Sequence, residues 1–274
     1  MIRKTKPFIV AIKCAILLCA IFFTSLCCAQ QQITPGFKFK TIVIDPGHGG
    51  KDPGAHGNYS VEKNVALAIG KKVNLLIKKE IVGVSTIMTR NSDTFIELDK
   101  RAEIANKSDA NIFISIHCNS SPEGTKKIKE KYDGVLILVY GYHRKEEQME
   151  ALRENASIFI EKDYKTKYAG YDGSDPSSLI ILNTMMSKYR KQSILFGSIL
   201  NKQFVFNDKR ESNGVKEQGV LVLAHSAMPA VLVETGYINN PKEEKYLNSQ
   251  IGQKEIAASI VNAIKIYQKQ ISTK

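Results

Sequence analysis

Hydrophobic and polar positions along the chain follow two periods. Thr41–Asp45 (TIVID) is a short β-branched run cut off by Pro46-Gly47, which predicts a strand ending in a turn. Val61–Lys79 then places Val65, Ala68, Ile69, Val73, Leu76 and Ile77 at helical spacing, with lysines on the other face. Val84–Met88 reads as a second strand, Leu98–Asn106 as a short helix turning Ala102 and Ala105 inward, and Asn111–Ile116 as a third strand. Gly134–Tyr140, Val220–Ala224 and Ala230–Val233 predict further strands, and Lys254–Gln268 a closing amphipathic helix. Strands alternating with helices imply an α/β domain with a mostly parallel, twisted sheet covered on both faces.

Between Tyr140 and Val220 the pattern changes. Arg144–Lys162 and Leu179–Phe206 read as helices joined by the polar stretch Tyr164–Ser178. The block at about 141–218 is therefore expected as a helical insertion within a single domain spanning 41–270. Internal repeats are absent, and no separate wall-binding module is expected at either end.

Residues 1–29 stand apart. Arg3, Lys4 and Lys6 make a basic start, Phe8–Phe23 is apolar except for Lys13, and Cys27-Cys28-Ala29 precedes Gln30. This is the layout of a secretory signal peptide. The uninterrupted apolar run from Cys14 to Phe23 is ten residues, whereas a bilayer span needs about 20. An uncleaved anchor is the alternative, as is a lipid on Cys27 or Cys28, although Leu26 and Cys27 are not the small residues wanted before a lipidated cysteine. The expectation is export to the periplasm or cell envelope, with residues 30–40 as a short linker and no stable membrane insertion after cleavage.

Composition narrows the class. With 43% apolar and 24% charged residues, the chain is neither a disordered tail nor a fibrous repeat. Four of the five cysteines lie in the leader, so the mature fold holds Cys118 alone and must rely on its core. The net charge is +12; without the leader's four basic residues, 35 basic residues face 27 acidic ones, leaving +8. Such a charge suits an anionic partner such as an envelope polymer. The lysines are scattered in short groups without an arginine-rich stripe, so nucleic acid is not expected as a partner.

Four polar positions fall where predicted strands end or helices begin. His48 follows the first strand in Asp45-Pro-Gly-His-Gly-Gly50, Glu62 opens the first helix, His117 ends the third strand, and Glu234 ends the last. Sites on open parallel sheets form beyond the carboxyl ends of the strands, so these groups could converge. Two imidazoles and a carboxylate are the usual three ligands of catalytic zinc, and a further carboxylate is what metal-assisted hydrolysis needs as its base. A lysozyme-like glycosidase needs two carboxylates and no metal. The His-Glu-x-x-His helix of many zinc proteases is absent.

These residues carry a family resemblance. Asp45-Pro-Gly-His-Gly-Gly-Lys-Asp-Pro-Gly54, Glu62-Lys63, Ile114-Ser-Ile-His-Cys-Asn119 and Met228-Pro-Ala-Val-Leu-Val-Glu-Thr-Gly-Tyr237 together resemble the zinc-dependent N-acetylmuramoyl-L-alanine amidases of the amidase 3 type. The resemblance implies a three-layer αβα fold around a largely parallel sheet. It also implies a zinc ion (Zn2+) held by His48, Glu62 and His117, and Glu234 as the catalytic carboxylate. The implied reaction is cleavage of the amide between N-acetylmuramic acid and L-alanine in peptidoglycan. Another zinc peptidase or deacetylase of the envelope, or a non-catalytic wall-binding homologue, is the rival.

Other residues keep two readings. Asp45 is either a partner that orients an imidazole or a turn-former before Pro46. Cys118 should face away from its neighbour His117, because adjacent strand residues point to opposite faces. His56 and His225 sit in loops that could meet substrate, and His143 reads as a solvated helix start. Asn119-Ser120-Ser121 is either a substrate contact or a polar turn, and Glu97, Asp99 and Glu103 read as solvated or helix-N-terminal acids. The first inserted helix carries Glu146, Glu147, Glu150, Glu154 and Glu161. Either it is an amphipathic surface helix burying Met149, Leu152 and Ala156, or one of its acids reaches the metal position. In the second case the helix covers the site, as in members of the resembled family that need an activator protein.

Overall fold

The computed structural model describes residues 39–122, 124–141, 149–167 and 176–272, without the side chains of 165 and 176–188. The expected signal peptide, nearly all of the linker, His143, Glu146 and Glu147 lie outside the described residues.

In chain order the elements are β1 (Thr41–Pro46), α1 (Glu62–Glu80), β2 (Ser85–Met88), α2 (Leu98–Lys107), β3 (Ile112–Asn119), α3 (Lys126–Lys129) and β4 (Val135–Tyr140). Then come α4 (Met149–Asn155), a 3-10 turn (Ala156–Ile160), α5 (Tyr164–Lys167), α6 (Pro176–Phe206) and β5 (Ser212–Gln218). The chain ends with α7 (Leu221–Ala224), β6 (Ala230–Tyr237), α8 (Pro241–Asn248) and α9 (Gln250–Ser272). The six strands form one sheet in the order β2-β1-β3-β6-β4-β5. All neighbours pair in parallel except β4 with β6. The architecture is therefore the expected α/β sandwich of helix, sheet and helix, with a mixed rather than purely parallel sheet.

Strand alternation divides the core in two. Ile42, Ile44, Ile112, Ile114, Ile116, Cys118, Val231 and Val233 face α1, α6 and α9. Val43, Phe113, Leu136, Leu138 and Leu232 face the opposite side, against Leu98 and Ala105 of α2, the apolar turn α7, and Ala151 and Ile158. By the same period of two, Asp45, Ser115, His117 and Glu234 lie on this second face, toward the carboxyl ends of β1, β3 and β6.

Two strand assignments differ from the sequence expectation, and the helix expected over Arg144–Lys162 is, among its described residues, an α-helix only over Met149–Asn155 before it tightens into the 3-10 turn. Val220–Ala224 is not a strand: Leu221–Ala224 is a buried helical turn, and a four-residue apolar run has no periodicity that separates the two states. Ser212–Gln218 is a strand that its polar sequence conceals; it lies at the sheet edge, where backbone pairing to β4 suffices. The block between β4 and α7 is accordingly divided. Residues 149–167 lie over the second face, whereas α6 and β5 belong to the sandwich itself. Phe196 of α6 is fully buried with its ring edge-on to Tyr267 at 5.4 Å. Phe196→Ala is expected to cost about 3–5 kcal/mol in denaturant unfolding, as for a core aromatic; an exposed position would change by about 0.5 kcal/mol or less.

Candidate active site and metal centre

Beyond β1 the chain turns sharply at His48, whose φ of 58° is left-handed, followed by Gly49 and Gly50 with positive φ. This conformation carries the imidazole back over the sheet edge. Nδ1 of His48 lies 2.9 Å from Asp52 Oδ2, which also accepts from Ser157 Oγ at 2.8 Å. That contact orients the ring and leaves Nε2 buried, without a hydrogen bond among the described residues.

Glu62 begins α1, and its position is fixed reciprocally by the preceding loop. The Ala55 N–H donates to Glu62 Oε2 at 2.8 Å while the Glu62 N–H donates to Ala55 O at 2.9 Å. Oε1 accepts the Cys118 N–H at 2.8 Å, tying the helix start to β3. Gly54 leaves the necessary space: a Cβ there would lie 2.6 Å from His48 Cδ2 and 2.7 Å from Glu62 Oε2.

His117, near the end of β3, aims Nδ1 at the same point. It lies 3.0 Å from Glu62 Oε1 and 2.7 Å from Glu154 Oε2. His48 Nε2 lies 3.1 Å from Glu62 Oε1 and 3.5 Å from Glu154 Oε2. Four donor atoms, from His48, Glu62, His117 and Glu154, thus lie within 4.8 Å of one another and could hold a metal ion. Glu234, one strand over, is level with His117 in the β3–β6 register. Just beyond that pair β6 gains one extra residue against β3, at a bulge containing Gly236 with φ 147°.

The cluster is held by pairing of opposite charges. Burial disfavours charge on both imidazoles, yet the Glu62 and Glu154 carboxylates override it: His48 is raised well above its ordinary value and His117 to about 9. Burial would raise Glu62, but the His48 charge and the hydrogen bond to His117 bring it down to about 2, against opposition from Glu154. Protons on the imidazoles are thus what balances two sealed carboxylates. A divalent cation can replace those protons, and such a site binds metal with proton release. Burial pushes Glu234 up to about 8, with Arg153 acting against it and the Glu154 and Glu62 charges adding to it.

The amidase family model, described as N-acetylmuramoyl-L-alanine amidase, matches residues 42–266. The chain belongs to this amidase family. Over 233 residues it is 32% identical to N-acetylmuramoyl-L-alanine amidase AmiA of Salmonella typhimurium, covering 83% of this chain and 76% of that one. Among solved structures it resembles the N-acetylmuramoyl-L-alanine amidase of Clostridium difficile 630, with TM-score 0.62, 25% identity, and 84% and 97% of the two chains covered. The CwlD amidase of Clostridioides difficile, solved in complex with the GerS lipoprotein, matches with TM-score 0.61 and 25% identity over 84% of this chain and 99% of that one.

Within this family member the segment 149–167 lies across the site. Glu154 enters the donor cluster, and its neighbour Arg153 donates to Glu154 Oε1 at 2.9 Å, Glu234 Oε1 at 2.6 Å and Asn119 Oδ1 at 2.7 Å. Gln218 accepts the Ala151 N–H at 2.8 Å, and Asn155 Oδ1 accepts the Leu221 N–H at 2.8 Å. Lys51 Nζ donates to Ile160 O at 2.5 Å, and Glu161 Oε1 accepts the Leu98 N–H at 2.8 Å. Lys167 sits among Glu97, Asp99 and Glu161, so Glu97 and Asp99, which stand at the N-terminus of α2 as one of their two readings expected, also hold this segment. The amphipathic reading is inverted: Met149 and Leu152 are 67% and 62% exposed, whereas Glu154 is 4% exposed.

The remaining positions are placed as follows. Cys118 turns its side chain into the core, its Sγ 3.5 Å from Thr235 Oγ1. Asp45 touches neither imidazole; it is fully buried and accepts from Thr89, Ser115 and Arg101. His56 and His225 are exposed and outside the donor cluster. Asn119 meets Arg153, and Ser121 Oγ donates to Asn239 Oδ1, so this run is engaged within the protein. Asp52, which orients His48, was concealed in the loop string; its distance of four residues from His48 was the only available signal.

Proposed function

We propose that the protein is an exported zinc hydrolase that cleaves the amide bond between N-acetylmuramic acid and L-alanine in peptidoglycan. His48, Glu62 and His117 hold the metal, and Glu234 handles protons. The observation carrying this reading is the donor cluster itself: four buried nitrogens and oxygens, of His48, Glu62, His117 and Glu154, within 4.8 Å of one another, with nitrogen–oxygen separations of 2.7–3.5 Å. A tetrahedron with bonds of about 2.0 Å has edges of about 3.3 Å, the spacing such a set requires. Bound zinc would polarise the scissile carbonyl and acidify water. Glu234, whose affinity for a proton is raised by burial, is suited in its ionised form to take a proton from the attacking water and return it to the leaving nitrogen.

With Glu154 in the donor set and Arg153 on Glu234, the arrangement described is a closed, resting one. A partner protein that draws residues 149–161 aside would expose both the metal position and the base, and the family relative solved with a lipoprotein supports such a partner. Export rests on the leader sequence. Among the described residues no helix is long and apolar enough to cross a membrane. Mass spectrometry of digests of purified peptidoglycan tests the reaction. The expected products are free stem peptides beginning with L-alanine and glycan strands of unchanged length. Cut cross-bridges would indicate a peptidase, new reducing ends a glycosidase, and released acetate a deacetylase.

A further inference from the structure

Two buried arginines hold the loop that carries His48, and one of them also grips the helix that carries Glu62. Arg101, 2% exposed, donates to Asp45 Oδ1 at 2.8 Å, Pro46 O at 2.9 Å and His48 O at 2.8 Å. Arg90, 4% exposed, donates through Nε to Pro46 O at 2.9 Å and through Nη2 to both Gly47 O at 2.6 Å and Lys63 O at 2.8 Å. Three consecutive carbonyls, of Pro46, Gly47 and His48, are thus turned toward guanidinium groups, the peptide orientation that accompanies the left-handed φ of His48. Gly49 is closely enclosed on this side: a Cβ there would lie 2.3 Å from Thr94 O and 2.9 Å from Arg90 Cδ and Nε. Gly47 precedes His48 and Lys63 follows Glu62, so one nitrogen atom spans the backbones of the two candidate ligands.

We propose that Arg90 is a positioning residue that sets the separation of His48 and Glu62, and with it the metal affinity of the site. The planar fork suits this role. It presents several donors in fixed directions, whereas a lysine ammonium at the same place can satisfy one carbonyl without fixing the angle between two backbones. Arg101 holds the His48 loop without reaching α1; Arg90 binds the carbonyls of both, beside the contact of Lys63 Nζ with Gly50 O at 2.9 Å. The inference rests on the metal-site reading above.

Arg90→Met and Arg90→Lys are the test, read by zinc affinity in chelator competition and by the visible spectrum of the cobalt-loaded proteins. Both variants are expected to bind zinc roughly 10–100-fold more weakly, the scale for outer partners of metal ligands, with altered cobalt bands. The zinc-induced rise in Tm should shrink accordingly. A purely structural arginine would lower Tm with and without metal by the same amount and leave affinity unchanged. That result in either folded variant overturns the proposal. If Arg90→Met does not fold, Arg90→Lys decides alone, because it keeps the buried charge and loses the bridge. The parent protein's zinc stoichiometry is read in the same experiment, so failure to bind zinc at all counts against the metal reading and not against Arg90.

Discussion

Glu234→Gln is expected to retain close to one equivalent of zinc while turnover falls at least roughly 10²-fold, the usual scale for a positioned acid–base group. His48→Ala and His117→Ala should instead lose metal and activity together. The difference follows from position. The imidazoles converge on Glu62 and Glu154 at 2.7–3.5 Å, whereas Glu234 reaches the group through Arg153. Glutamine keeps the shape of the side chain but cannot accept and return a proton. Because the substitution also removes the Arg153–Glu234 ion pair, it should be repeated alongside Glu154→Ala, so that loosening of the covering segment does not mask the loss. Metal content is read by plasma emission spectrometry. A folded Glu234→Gln protein without zinc would make Glu234 a ligand.

Removing the covering contacts should act in the opposite direction. Glu154→Ala vacates the fourth donor position but leaves Arg153 on Glu234; Arg153→Ala does the reverse. The double variant is expected to hydrolyse labelled peptidoglycan at least roughly tenfold faster than the parent, a shift that requires about 1.4 kcal/mol. The pair is buried on the Glu234 side and partly exposed on the Arg153 side, so it can supply this as a fraction of the about 3–5 kcal/mol that breaking a fully buried pair costs. Replacing residues 142–175 with a Gly/Ser linker should give a similar gain. Zinc content must remain unchanged in these proteins, so that release of the site is distinguished from metal loading. Equal or lower activity in a double variant folded by circular dichroism would show that the segment forms part of the substrate wall and does not gate it.

The strands and long helices were legible because their signals are local. β3 alternates Ile112, Ile114, Ile116 and Cys118 with Phe113, Ser115, His117 and Asn119, and both halves fell on the faces that alternation predicts. The α1 residues Val65, Ile69, Val73 and Ile77 are likewise buried as their spacing requires. β5 was hidden because an edge strand needs only one row of backbone partners, so Ser-Asn-Gly-Val-Lys-Glu-Gln could stay polar. The helix α4 misled for a different reason. Amphipathic reasoning assumes that the surface beneath a helix is apolar, but beneath Arg153 and Glu154 lie two imidazoles and two carboxylates. Charge complementarity therefore turned the acids inward and left Met149 and Leu152 in solvent.

The sequence by itself determined the sandwich, and it determined that His48, Glu62, His117 and Glu234 stand at strand ends and a helix start. Those placements depend on residues within one element and its turn. Only the tertiary structure decided which acid of the inserted segment enters the donor cluster, that Asp52 orients His48, that Asp45 anchors Arg101 instead of an imidazole, and that Arg90 joins the loop before α1 to the helix itself. Apart from the local Asp52–His48 contact, each depends on segments distant in sequence meeting in the fold: Glu154 lies 37 residues beyond His117 and Arg90 lies 27 beyond Lys63. The strand order β2-β1-β3-β6-β4-β5 brings them together, and no local periodicity encodes that order.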